Sequence, residues 1–394
     1  MAHKGMTFGI FLAPFHRIGE NPTLAMNRDM ELIEWMDWLG YDEVWVGEHH
    51  SAGWEIIASP EIFIAAAAER TRHIRLGTGV TSVAYHNPLW VAERMVLLDH
   101  LTRGRTMLGL GPGSLPTDSA MIGLNPTDTR ELLDQNLEII MHLLRSEEPI
   151  TVETATHKLF DARLHLRPYT QPHFDMAVAA VASPTGPRLA GRYGLGLLSV
   201  GATLTPEGFD ALGHHWGIME ERAAAYEQTV DREQWRLVGL VHAAETKEQA
   251  YKDVEYGIEQ WFRYFEGVAA FPQMGIAGEH KLREMIDFVN ESGVGAIGTW
   301  EDVAAQIEKL DKQSNGGFGC YLLLAHEWAN PVATHRSYEL IAQHVMPLFQ
   351  GQAQSTIDAR ARAKSTHAEM AQTQNDAVAH MTEKYEREVA ASRG

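Results

Sequence analysis

Residues 40–54 read Gly-Tyr-Asp-Glu-Val-Trp-Val-Gly-Glu-His-His-Ser-Ala-Gly-Trp. A strand-like run, Asp42 to Val46, is followed at once by Gly47 and then by Glu48, His49 and His50. Titratable groups placed directly after an apolar run are the arrangement of a reactive site at a strand's carboxyl end. Imidazoles titrate near neutrality, so a His pair beside a carboxylate can relay protons, hold a metal or hydrogen-bond a cofactor.

The same rhythm runs outward in both directions. Short runs rich in Val, Ile, Leu and Gly recur near residues 6–13, 42–47, 73–81, 106–111, 175–182, 195–200, 235–243 and 318–325. Between and after them lie segments of helical periodicity at 22–39, 60–71, 88–101, 126–146, 185–194, 205–229, 246–265 and 332–348. Eight such units predict an α/β fold, a (β/α)8 TIM barrel whose site lies at the carboxyl ends of its strands. Asn21-Pro22 and Asn125-Pro126 each offer a capping side chain before a proline at a first helical position. The stretch from Gly267 to Trp300, with Pro272, Gly275 and Gly278, departs from the repeat and reads as an insertion between strands 7 and 8, over the barrel mouth. From Gln350 onward large apolar residues become sparse. Two parts are therefore expected, a barrel over residues 1–349 and a polar C-terminal tail, helical or disordered, over 350–394.

The 394 residues are 45% hydrophobic, and 33 Lys and Arg against 52 Asp and Glu leave a net charge of -19. That balance argues against nucleic acid or an anionic membrane as partner. The single cysteine, Cys320, excludes an internal disulfide. Met1 to Thr7 lacks the apolar core of a signal peptide, so a cytoplasmic setting is expected.

Several strand ends carry candidate ligand contacts. Ala13 leaves room beneath a flat ligand, and Phe15 follows it at the rim. Gly77-Thr78-Gly79-Val80-Thr81 and the series Gly109, Gly111 and Gly113 space glycines in ways that suggest a bulge or close backbone approach to a ligand. Ser183-Pro184-Thr185-Gly186 opens a helix with hydroxyl and N–H groups that suit a phosphate or an ordinary cap. Phe15, Trp54, Phe271 and Trp328 are the aromatic candidates for an apolar substrate. No phosphate-binding Gly-Lys-Ser/Thr loop, dinucleotide Gly-x-Gly-x-x-Gly turn or Gly-x-Ser-x-Gly elbow is present. His49 and His50 point to opposite sides of an extended segment, which disfavours chelation, so no metal is expected.

Glu48-His49-His50, Leu76-Gly-Thr-Gly-Val80, Tyr85-His-Asn-Pro88, Ala92-Glu93, Leu98-Asp99-His100-Leu101 and Gly104-Arg105 occur in order and with compatible spacing. Over residues 6–349 the chain thereby resembles the bacterial luciferase-like flavin-dependent monooxygenases. The resemblance implies a TIM barrel using reduced flavin (FMN or FAD) and O2, with NADH or NADPH acting indirectly through a separate flavin reductase. It also implies a homo-oligomer, most simply a dimer. It places His49 beside the reactive edge of the flavin and Gly79-Val80, joined by a non-prolyl cis peptide, beneath the ring. Ser183 and Thr185 fall on the loop that holds the phosphate. Light-emitting members carry a cysteine and an arginine where Gly111 and Pro112 stand here, so that arginine's phosphate contact does not carry over and weaker phosphate affinity is expected. The later run Gly316-Gly-Phe-Gly319, Leu322 to Ala329 and Arg336 to Leu340 points, by the same resemblance, to a small apolar substrate, with epoxidation of a monoterpene such as limonene the sharpest expectation. A deazaflavin-dependent oxidoreductase and a non-catalytic flavin-binding protein are the competing readings.

Overall fold

Each of the eight apolar runs forms a strand, and the eight close into a parallel barrel. In the computed structural model, which describes residues 5–13, 15–181, 183–200, 208–268 and 281–393, eleven strands occur: β1 (Thr7–Leu12), β2 (Glu43–Val46), β3 (Arg75–Ser82), β4 (Thr106–Gly111), β5 (Ile150–Glu153), β6 (Lys158–Ala162), β7 (Asp175–Ala180), β8 (Gly196–Ser199), β9 (Trp235–Ala243), β10 (Gly295–Gly298) and β11 (Cys320–Leu324). The barrel order is β1-β2-β3-β4-β7-β8-β9-β11, closed by parallel pairing of β11 with β1. Along β1, Phe8, Ile10 and Leu12 face the layer between strands and helices, whereas Phe11 joins the inner cluster with Trp45, Met107 and Leu322. Period-two alternation thus separates two apolar cores.

Charge plugs the amino-terminal end of the barrel. Arg236 donates to Glu43 at 2.8 and 3.0 Å and to Asp175 at 2.6 Å, and its guanidinium lies over the Trp45 ring. Glu43 and Asp175 are the first residues of their strands. Such a network at the bottom of a barrel serves stability, which leaves the opposite face for chemistry.

Local signals explain most helix boundaries. Asn21 accepts from the Thr23 and Leu24 N–H groups with Pro22 at the first helical position of Pro22–Leu39. The second Asn-Pro expectation is corrected: Asn125 caps only a turn through Thr127 N–H, and the helix begins later, at Thr129. The segment expected as one helix over 246–265 is split into Lys247–Val254 and Ile258–Gly267. Gly257 lies at the break, where a Cβ would come within 2.1 Å of the Glu327 carbonyl oxygen.

The insertion between the seventh and eighth barrel strands contains those two helices, Leu282–Ser292, β10 and Trp300–Gln313. β10 pairs in parallel with the carboxyl half of β9, Gly295 opposite Leu240 and Gly298 opposite Ala243. An antiparallel β5–β6 ribbon between β4 and β7 was not foreseen, because its residues are mostly exposed and form no apolar run. The chain divides into two compact units, Met1–Phe349 and Gln350–Gly394. The second holds helices Gln354–Ser365 and His367–Arg393, with no buried residue among those described. Among the described residues, no helix is long and apolar enough to cross a membrane.

Candidate active site

Residues after β1, β2, β3, β4, β7, β8 and β9 line an open cavity. β2 delivers Glu48 and His49 to its wall, as the strand-end position of these residues predicts. His49 donates through Nδ1 to Asp118 Oδ2 and forms an ion pair through Nε2 with Glu55 Oε2, both at 3.0 Å. Asp118 also accepts from the His50 backbone N–H and the Ser51 hydroxyl, and Glu55 accepts from the Tyr264 hydroxyl at 2.9 Å. Burial opposes charge on the His49 ring, but the charge of Glu55 and the hydrogen bond to Asp118 outweigh it and raise its pKa to about 10. The two carboxylates thus favour the imidazolium form of His49, with one beside each ring nitrogen.

Glu48 is the hub of a second cluster. Its Oε1 accepts from Nε2 of both His50 and His86 at 2.8 Å, and its Oε2 from the Ser82 N–H at 3.0 Å. Burial would raise its pKa, yet the hydrogen bonds from the two histidines bring it down to about 2. These three side chains converge closely enough to suggest metal ligands. The distances instead suit N–H···O bonds, since donors around a tetrahedral zinc stand about 3.3 Å apart and its imidazole ligands must present lone pairs.

The floor is built by close backbone approach. Gly79-Val80 is a cis, non-prolyl peptide and lines the cavity together with Ala13. A Cβ at Gly79 would lie 2.8 Å from Trp45 Cβ and 3.0 Å from Phe11 Cε2. The β3–β4 register shifts between Thr78 and Thr81, the irregularity expected from the glycine spacing. Gly113, at φ 88°, also lines the cavity, and a Cβ there would fall 2.0 Å from the Tyr85 hydroxyl. Gly111 contributes only space, because its Cβ position is filled by Val80 Cγ2 at 2.4 Å.

Ser183 and Thr185 line the cavity at the start of helix Thr185–Tyr193. That helix has no side-chain cap, and Gly186 lets it approach β7, since a Cβ there would meet the Ala179 carbonyl oxygen at 2.1 Å. Arg130, on helix Thr129–Arg145, lines the same cavity. One turn further along each helix, Arg188 donates to Asp134 at 2.6 Å, so the two helix starts stand side by side. Among the described residues, Arg130 and the Ser183 and Thr185 hydroxyls have no protein hydrogen-bond partner. A guanidinium, two hydroxyls and a helix amino terminus together offer the chemistry that suits an anion. Arg130, on the second helix after β4, places a cation at this cavity that no motif of the sequence marks.

Phe11, Leu115, Val200, Phe265 and Leu324 supply an apolar wall. Other predicted contacts lie elsewhere. Thr81 faces a small cleft with His86 and Arg94, and Pro184 is exposed and absent from the cavity lining. Phe15 and Trp54 stack on each other at 4.7 Å, and Phe15 lines a separate groove with Arg28 and Tyr256. The Trp328 assignment is corrected: its side chain is fully buried, edge-on to Trp261 at 5.3 Å and stacked on His326 at 4.0 Å. Apolar burial and ring stacking in that cluster hold the indole away from the cavity, with its N–H left without a hydrogen-bond partner among the described residues. Phe271 and Pro14 lie outside the described residues.

An open cavity at the carboxyl ends of a TIM barrel, with a cation and hydroxyls on one side and an apolar wall on the other, defines the class of fold and site. The chain belongs to the luciferase-like monooxygenases, whose family model matches residues 6–315. It is 47% identical over 344 residues to limonene 1,2-monooxygenase of Rhodococcus erythropolis, an alignment covering 87% of each chain. It is 44% identical over 352 residues to 4-hydroxyprotoasukamycin monooxygenase of Streptomyces nodosus subsp. asukaensis, covering 88% of this chain and 93% of that one. Among solved structures, the oxygenating constituent of 3,6-diketocamphane monooxygenase from Pseudomonas putida, in complex with FMN, superposes with a TM-score of 0.72 at 24% identity, covering 88% and 99% of the two chains. That likeness concerns the fold.

Proposed function

We propose that this flavin-dependent monooxygenase receives reduced flavin from a separate reductase, which draws on NADH or NADPH, and inserts one atom of O2 into a small apolar molecule. Epoxidation of a monoterpene such as limonene is the reaction favoured. One observation carries the reading: a single cavity joins an uncommitted cation and hydroxyls, Arg130, Ser183 and Thr185, to the apolar wall of Phe11, Leu115, Phe265 and Leu324. The first set suits the phosphate of a flavin and the second a hydrocarbon. The identity to limonene 1,2-monooxygenase supports the substrate class.

Arg130, Ser183 and Thr185 would hold the phosphate, and Ala13, Gly79, Val80 and Gly113 would leave room for the ring. When bound, the flavin supplies the electrons that activate O2. His49 keeps a fixed positive charge at the cavity wall, and its two carboxylate partners prevent it from accepting a further proton. The apolar wall limits water near the reacting atoms and turns the substrate toward the ring by shape. Cytoplasmic location and a homo-oligomer belong to the same proposal. Ile62, Trp90, Leu97 and Leu101 are all more than half exposed on two neighbouring helices, Pro60–Ala68 and Pro88–Thr102, an apolar face suited to a second copy.

Incubation with a flavin reductase, NADH, FMN and limonene, followed by chromatography, tests the reading. Limonene epoxide above the no-enzyme control is the expected result. Hydride transfer with a deazaflavin and no O2 uptake with reduced FMN or FAD would replace it by the oxidoreductase reading. Tight flavin binding without any turnover would leave only a flavin carrier.

A further inference from the structure

We infer that Glu55 and Tyr264 are positioning residues for His49: Glu55 pairs its charge with Nε2 of the ring that Asp118 holds through Nδ1, and Tyr264 fixes Glu55 from another βα connection of the barrel. The inference rests on reading His49 as the group that faces the cofactor, and it names the residues that set how that ring is presented.

Three separate βα connections converge on one imidazole. His49 and Glu55 lie on the loop after β2, Asp118 on helix Pro116–Met121 after β4, and Tyr264 on helix Ile258–Gly267 after β9. Glu55 is buried, and its Oε2 lies 3.0 Å from His49 Nε2 in an ion pair and accepts from the Tyr264 hydroxyl at 2.9 Å. An imidazole bonded at one nitrogen retains a rotational choice, whereas acceptors at both nitrogens fix the ring plane. Neither nitrogen then offers a lone pair to the cavity, so the ring presents its charge and is not a general base.

Two of the aromatic residues assigned by sequence to the substrate, Phe15 and Trp54, find their use here. Phe15 forms an antiparallel bridge with Glu55, and the His16 N–H donates to the Trp54 carbonyl at 2.8 Å. The Phe15 and Trp54 rings then rest on Tyr264, with centroids 5.4 and 5.6 Å away. This packing buttresses the phenol against Glu55, while Glu55 and Tyr264 both line the cavity. The other titratable side chains near His49 are Glu48 and His50 beside it in the chain and Tyr85 before helix Pro88–Thr102. Glu48 is occupied by His50 and His86, while burial, reinforced by Asp118 and Glu48, holds the Tyr85 phenol protonated, with its pKa raised to about 12. Glu55 and Asp118 are thus the two carboxylates that address the His49 ring.

Imidazole 15N spectra of the flavin-free protein, recorded against pH, test the assignment without turnover. In the unaltered protein both His49 ring nitrogens should remain protonated well above pH 8. Glu55→Gln should lower the titration midpoint by at least about one pH unit, a tenfold loss of proton affinity. Tyr264→Phe should alter the His49 signals in the natural background and do nothing further in Glu55→Gln, because it acts only through that carboxylate. An unmoved midpoint in Glu55→Gln, or equal Tyr264→Phe effects in both backgrounds, would overturn the inference. Should Glu55→Gln not fold, unchanged His49 signals in Tyr264→Phe alone would overturn it. A protein that titrates as described but neither binds flavin nor oxygenates would instead sink the proposed function and leave this arrangement standing.

Discussion

Replacing Arg130 by Met should weaken FMN binding while leaving riboflavin binding almost unchanged. Arg130 reaches the cavity beside Ser183 and Thr185 and has no protein partner among the described residues, so its removal strands no buried acceptor and opens no core cavity. The loss is then the interaction with the phosphate itself. A charge-assisted hydrogen bond contributes about 1.5–3 kcal/mol, and the solvent exposure of Arg130 puts the effect near the lower end. About 1.5–2 kcal/mol corresponds to roughly 10- to 30-fold in Kd. Titration of the flavin-free protein with FMN and with riboflavin, followed by flavin fluorescence or calorimetry, measures both constants. The FMN effect should shrink as salt is raised, because an exposed charge pair is screened. An equal loss for both flavins would mean that Arg130 supports the fold, and no loss for FMN would place the phosphate elsewhere.

Three further outcomes follow from the same geometry. His49→Ala removes the fixed cation from the cavity wall and should uncouple O2 consumption from product formation, read as more hydrogen peroxide per product; unchanged coupling would remove His49 from the chemistry. Gly113→Ala must accommodate a Cβ within 2.0 Å of the Tyr85 hydroxyl at φ 88°, so conformational strain and overpacking together should cost about 2–5 kcal/mol in denaturant unfolding; a cost below 1 kcal/mol, on the order of a surface change, would show that Tyr85 moves freely. Glu48, lowered from 4.5 to about 2, contributes stability that is fully present above the unfolded value and lost as pH falls through the folded one. The stability gap between the natural protein and Glu48→Gln should therefore be about 3 kcal/mol above pH 5 and close toward pH 2; a gap that persists at pH 2 would contradict the two-histidine clamp.

Barrel strands were legible because each is a short apolar run bounded by turn residues, and burial on both faces of a parallel sheet leaves that mark in a sequence. Glycine at 79 and 113 was legible for a related reason, since close approach excludes a side chain. The β5–β6 ribbon left no such mark, with Thr151, Glu153, Lys158 and Phe160 all exposed. The carboxylate clamp was hidden for a different cause: Asp118 and Tyr264 come from loops far apart in the chain, and neither sits in a spacing that announces a contact with His49. Glu55 stood one residue beyond the stretch that revealed the histidine. Aromatic residues misled, because Trp328 and Phe15 carry the same composition signal whether they line a cavity or support it. Arg130 left no mark either, because it lies on the second helix after β4 and outside any recognisable motif.

The account stands most directly on a single-turnover experiment with photoreduced FMN, limonene and ¹⁸O2, in which no reductase or nicotinamide is needed. It predicts limonene epoxide carrying one atom of ¹⁸O per molecule, formed only when protein, reduced flavin and O2 are all present. Product without the label, or complete consumption of reduced flavin and O2 with limonene recovered unchanged across a wider panel of monoterpenes, would contradict it.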